Sequence, residues 1–146
     1  MKTNLNDLIC FNYYKGWRSV TAIHKQIYGN DNSIQMHFLL KLCDLTTTTN
    51  ISDIAKGMNL DNSAVSLLVS RMEKKGLLRR EDGEADRRIV FVKLTNAGRD
   101  LRAFYSKKVE LFNQAITKGM SPTDQATLQS IVVKIERNRE NRKKEF

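Results

Sequence analysis

From Asn4 to Tyr28 the apolar residues Leu5, Ile9, Tyr13, Trp17, Val20, Ile23 and Ile27 recur at three- and four-residue steps. That is the period of one helix face, and it predicts a single long first helix. The helix is expected to stop at Gly29-Asn30-Asp31-Asn32, since Gly and Asn tolerate the left-handed backbone that closes helices. Ser33 can cap a second helix, with Phe38, Leu39, Leu42 and Cys43 on its buried side, ending before the run Thr46 to Thr49. The threonines read as a connection or a strand edge.

Next, Ile51, Ile54, Ala55 and Met58 mark a two-turn helix that breaks at Asn59. Asp61 is placed to accept from the free amides of a following helix, whose inner face carries Val65, Leu68, Val69 and Met72. The pair reads as a helix-turn-helix. After Gly76, Leu77 to Glu81 and Arg88 to Leu94 read as strands around the polar turn Asp82-Gly83-Glu84-Ala85-Asp86. Ile89, Phe91 and Leu94 are expected on one face of this hairpin, opposite Val90, Val92 and Lys93.

Beyond a Thr95 cap, Leu101, Tyr105, Val109, Phe112 and Ile116 form another helical stripe, running to about Lys118. Ser121-Pro122-Thr123-Asp124 then opens a last helix with proline at its first position and Leu128, Ile131, Val132 and Ile135 on its apolar side. Its charged end, Glu136 to Phe146, is expected to fray.

With 146 residues, 40% of them hydrophobic, the chain is long enough for one domain with a core and is read as a single domain over 1–146. No run approaches the ~20 apolar residues that span a bilayer, and the first residues lack the apolar centre of a signal peptide, so a cytoplasmic protein is expected. Two cysteines, Cys10 and Cys43, are too few for a disulfide framework or a zinc cluster. The net charge is +9, with ten basic against six acidic residues over 71–102, which favours a polyanion as partner.

Helix, turn, helix and charged hairpin, in that order, suit a reader of duplex DNA: the second helix enters the major groove and the hairpin reaches phosphates or the adjacent minor groove. Asn62, Ser63, Ser66, Leu67, Ser70, Arg71 and Lys74 lie opposite the apolar stripe of that helix and are the candidate contacts. A winged module that binds RNA or a protein partner is the alternative. No Gly-rich phosphate loop or nucleophile–base arrangement supports an enzyme, and no ligand set supports a metal or cofactor.

The stretch Asp61 to Arg80, followed by Asp86-Arg87-Arg88 and by Leu94-Thr95-Asn96-Ala97-Gly98, resembles the MarR family of bacterial transcriptional regulators. The resemblance implies a mainly α fold: a winged helix-turn-helix over 33–95, with its wing hairpin at 77–94, between dimerisation helices at 4–32 and 96–146. It implies a homodimer on a pseudo-palindromic operator, acting as a repressor released by a small molecule or by oxidation. Arg88 would then enter the minor groove oriented by Asp86, and Arg87 would face phosphate. Leu67 stands where many members have an arginine, and an aliphatic side chain there can touch a thymine methyl.

Two release mechanisms are open at this point. The Cys10-Phe11 pair is similar to the reactive site of the family's thiol-based hydroperoxide sensors, although Met36 and His37 stand where those sensors carry tyrosines. Alternatively a small apolar or aromatic effector binds between the dimerisation helices and the winged domain, with Trp17, His24, Met36, His37 and Phe38 as candidate lining. Cys43, on an apolar face, is read as core.

Overall fold

The computed structural model describes residues 4–145. They fall into two compact units, one reaching to Phe112 and one starting at Asn113. The first contains helices α1 (Ile9–Tyr28), α2 (Ile34–Leu42), α3 (Ile51–Met58) and α4 (Asn62–Lys74), strands β1 (Thr49–Asn50), β2 (Leu78–Asp82) and β3 (Val90–Leu94), and the start of α5 (Asn96–Thr117). Helix α6 (Pro122–Lys143) lies in the second. The expected mainly α winged helix-turn-helix architecture is present, and no helix among the described residues is long and apolar enough to cross a membrane.

The anticipated caps hold their helices. Ser33 Oγ accepts from the Met36 amide and Asp61 Oδ1 accepts from the Ala64 amide; beyond those expectations, Ser121 and Asp124 form a reciprocal capping box at the start of α6. The break after α3 is made by Asn59 at φ 56°, a left-handed conformation that an asparagine tolerates better than other side-chain-bearing residues.

All three strands join one antiparallel sheet in the order β1-β3-β2. The threonine run thus ends as an edge strand, with Thr49 opposite Val92 and Asn50 opposite Phe91. In the hairpin Leu78 pairs with Leu94 and Arg80 with Val92. Val92 and Leu94, with Leu78, face the core formed by Leu39, Leu40, Ile54, Val65, Val69 and Met72. That corrects the expected face: Phe91 lies on the opposite side, half-buried, because strand alternation ties 92 to 94 and the fully buried pair decides the register.

Other expectations also shift. Leu8 is extended and separates a 3-10 turn at Leu5–Asp7 from α1, so the first helix starts at Ile9 rather than Asn4. Its buried residues are His24 and Tyr28, while Ile9, Tyr13 and Trp17 of the predicted inner stripe are exposed. Helix α2 buries Ile34, Met36, His37, Leu39 and Leu40, leaving Phe38 and Leu42 outside, so its inner face is rotated from the one expected. Helix α6 is continuous to Lys143.

Helix α5 docks onto the end of the hairpin through backbone contacts. Thr95 donates from its amide to Leu77 O and from its hydroxyl to Gly76 O, and its Oγ1 accepts from the Gly98 amide. At Gly98 a Cβ atom would lie 1.9 Å from Leu77 O, a backbone atom with no side chain to swing away. Gly98→Ala is therefore expected to cost about 3 kcal/mol, the upper end of ordinary overpacking. Chemical denaturation of wild type and variant checks this, and equal midpoints would contradict so close an approach.

Candidate nucleic-acid interface

Helix α4 turns Val65, Leu68, Val69 and Met72 inward, which leaves its other side to solvent. Asn62, Ser63, Leu67, Arg71 and Lys74 are exposed there, Leu67 the most prominent of the hydrophobic ones at 65% exposure. Ser66 and Ser70 are half-buried. Asn62 Nδ2 donates to Ser52 Oγ at 3.2 Å, tying the start of α4 to α3.

The wing presents Arg88 by a two-point bridge. Its Nε donates to Asp86 Oδ1 at 3.1 Å and its Nη2 to Asp86 Oδ2 at 3.0 Å, while the Arg88 amide also donates to Oδ1. These bonds lower the Asp86 carboxyl and raise the guanidinium from their ordinary values, so the pair is ionised in any ordinary buffer. The Arg88 side chain is nonetheless 91% exposed. A fixed direction combined with open surroundings suits a cation that inserts into a groove. Arg87, beside it, is exposed.

Sequence reasoning missed Arg80, which joins these two parts. On β2 it shares a side with Leu78, and its guanidinium reaches back to α4: Nη1 donates to Glu73 Oε1 at 3.0 Å, and the two hydrogens of Nη2 are shared among Ser66 O at 2.7 Å and Ser66 Oγ and Ser70 Oγ at 3.0 Å each. Its own amide donates to Glu73 Oε2. The available signal was alternation: a strand that buries residue 78 also points residue 80 inward, and an inward arginine needs acceptors. Between α4 and the wing, Asn62, Ser66, Arg88 and Ile89 help line a recess of about 250 Å³.

The five candidate effector residues do not converge. Trp17 and Phe38 are on the surface, whereas His24, Met36 and His37 are buried. His37 stacks on Tyr105 at 4.4 Å between ring centroids, and His24 packs 4.5 Å from Tyr28 and 5.3 Å from Phe112. Tyr28 donates to Tyr105 O, but His24 Nε2, His37 Nδ1 and the Tyr105 hydroxyl meet no hydrogen-bond partner among the described residues. A small cavity of about 110 Å³ beside them is lined by His37, Lys41, Arg102, Ser106 and Val109. Cys10 is exposed in the first turn of α1; Cys43 is buried, and that burial lifts its thiol to about 11.

A model of the MarR family matches residues 33–90. The HTH-type transcriptional regulator MgrA of Staphylococcus aureus is 31% identical over 101 residues, which cover 68% of this chain and 69% of that protein. The fold is similar to that of the PcaV transcriptional regulator from Streptomyces coelicolor in complex with its natural ligand, with a TM-score of 0.83 and 15% identity over 93% of this chain and 96% of that one. It is also similar to a mutant MarR from E. coli complexed with operator DNA, with a TM-score of 0.76 and 19% identity over 92% and 99%.

The buried imidazoles make a pH test. Burial, then the neighbouring His24 and Lys41 charges, lower His37 from its ordinary 6.5 to about 4, and burial lowers His24 as well. The unfolded chain takes up the His37 proton below about pH 6.5 and the folded chain resists until about pH 4, so the His37 contribution to stability is full above that window and falls through it on acidification. Thermal unfolding across this range is expected to show a shallower loss for His37→Gln than for wild type. Parallel curves would mean that His37 is not held neutral by the fold.

Proposed function

The chain belongs to the MarR family of transcriptional regulators, which are DNA-binding proteins and not enzymes, and we propose that it is a homodimeric repressor of a pseudo-palindromic duplex operator. The observation that carries this reading is the Arg88 fork on Asp86, exposed at the wing beside a helix whose outer face is polar and basic. In it α4 enters the major groove with Asn62, Ser63, Ser66, Ser70, Arg71 and Lys74 towards phosphates and base edges. Leu67 meets a thymine methyl, Arg88 enters the minor groove, and Arg87 meets phosphate. The operator-bound MarR of similar fold supports this use of the surface.

A second copy of the chain is the partner that the apolar surfaces call for. Helix α1 exposes Ile9, Tyr13 and Trp17, and α6 exposes Leu128, Ile131, Val132 and Ile135. Clusters of this size on a lone chain are costly in water. In a dimer two α4 helices ~34 Å apart would meet successive major grooves.

For release, oxidation at Cys10 has the better support. The cavity beside His37, about 110 Å³, is well below the ~300 Å³ of ordinary ligand pockets, while the Cys10 thiol is exposed in the first turn of α1. Its thiolate would attack a hydroperoxide, breaking the O–O bond to leave a sulfenate and an alcohol or water. The new polar group then disturbs α1. An effector remains the second reading, supported by the ligand-bound PcaV of similar fold.

Arg88→Ala is expected to weaken operator binding by ~1 to 3 kcal/mol and to reduce the salt dependence by about one counterion. Fluorescence anisotropy over a salt series measures both; full affinity with an intact fold would remove Arg88 from the interface, and a duplex RNA outcompeting DNA would favour the RNA reading. Peroxide is expected to release operator from wild type and leave Cys10→Ser bound. Equal release from both would eliminate the thiol mechanism.

A further inference from the structure

Arg80 has a consequence for DNA beyond holding two elements together. A guanidinium can only donate, so every group it touches is made an acceptor towards it. Ser70 Oγ accepts from Arg80 and donates to Ser66 O at 3.0 Å, which commits that hydroxyl inside the protein. Ser66 differs. Its Oγ accepts from Arg80 at 3.0 Å, and its hydrogen is spent on no described residue. The usual acceptor for a helical serine hydroxyl, the carbonyl one turn back as in Ser70 to Ser66 O, takes no bond from Ser66 among the described residues.

Ser66 also borders the recess, which is lined as well by Asn62 on its own helix, by Arg88 and Ile89 of the wing, and by Asn50, Ile51 and Ser52 at the start of α3. With a helix in the major groove and a wing in the adjacent minor groove, the element of duplex DNA that runs between them is one sugar-phosphate strand. Non-bridging phosphate oxygens only accept. We propose that Arg80 is a positioning residue for DNA binding: by donating to the Ser66 hydroxyl oxygen it orients that group so that its hydrogen is presented to a phosphate of the strand that passes through this recess. The inference rests on the assignment of α4 and the wing as the DNA surface. It gives Ser66 a role in affinity for the backbone and none in base choice.

The test uses the full-length protein and a selected operator duplex, with Ser66→Ala, Arg80→Lys and the double variant. Lysine keeps the charge and loses the fork. Each single variant is expected to bind about tenfold more weakly, the double no more weakly than the weaker single, and the salt slope to stay at the wild-type value. A methylphosphonate scan of the operator is expected to reveal one backbone position per half-site at which the wild-type advantage over Ser66→Ala disappears. Multiplying losses in the double variant, or an advantage that no methylphosphonate removes, would overturn the proposal.

Wild-type affinity in Ser66→Ala would do the same. If Arg80→Lys fails to fold by circular dichroism, Ser66→Ala and the scan decide alone, since they leave the fork intact. Weak binding by Arg88→Ala beside normal binding by Ser66→Ala would end this inference and keep the DNA surface. Normal binding by both would end the surface assignment itself.

Discussion

A side chain that can only donate sets the relation between helix α4 and the wing. Arg80 reaches one carboxylate, one carbonyl and two hydroxyls from a strand to a helix, and its partners are spaced over Ser66, Ser70 and Glu73, two turns of α4. Four acceptors converging on one planar group leave little freedom of rotation or slide. Removing one partner of such a half-buried network strands the others, so it holds geometry more firmly than its net energy suggests. Everything assigned to DNA lies on one side or the other of this joint.

The joint is local, and the framework behind it is apolar. Leu78, Val92 and Leu94 press the sheet onto the helices, and Gly98 allows α5 to approach the end of the hairpin at backbone distance. Two imidazoles are buried among Tyr28, Tyr105 and Phe112, where aromatic packing offsets part of the cost of burying them. Such a cluster favours the neutral forms and penalises acid. A regulator built this way is stable at neutral pH with its surface charge unneutralised, as its interaction with a polyanion requires.

The same chain leaves α1 and α6 with apolar side chains in water. Their sequence stripes have the periodicity of a face suited to burial, and periodicity by itself cannot say what covers such a face.

Much of the design was nevertheless readable along the chain. Ser33, Asp61, Thr95 and the Ser121–Asp124 box mark helix starts, because a cap needs only residues within one turn of it. The Asp86–Arg88 pair was implied by the family resemblance of the wing, and its partners are only two residues apart. What needed the tertiary structure was every interaction between distant segments: the rotation of α2 that exposes Phe38, the register placing Val92 inward, and the meeting of Arg80 with Ser66, fourteen residues earlier. Local hydrogen-bond chemistry is written in neighbouring letters, whereas which face is inside, and which cation meets which hydroxyl, is decided only when the elements pack.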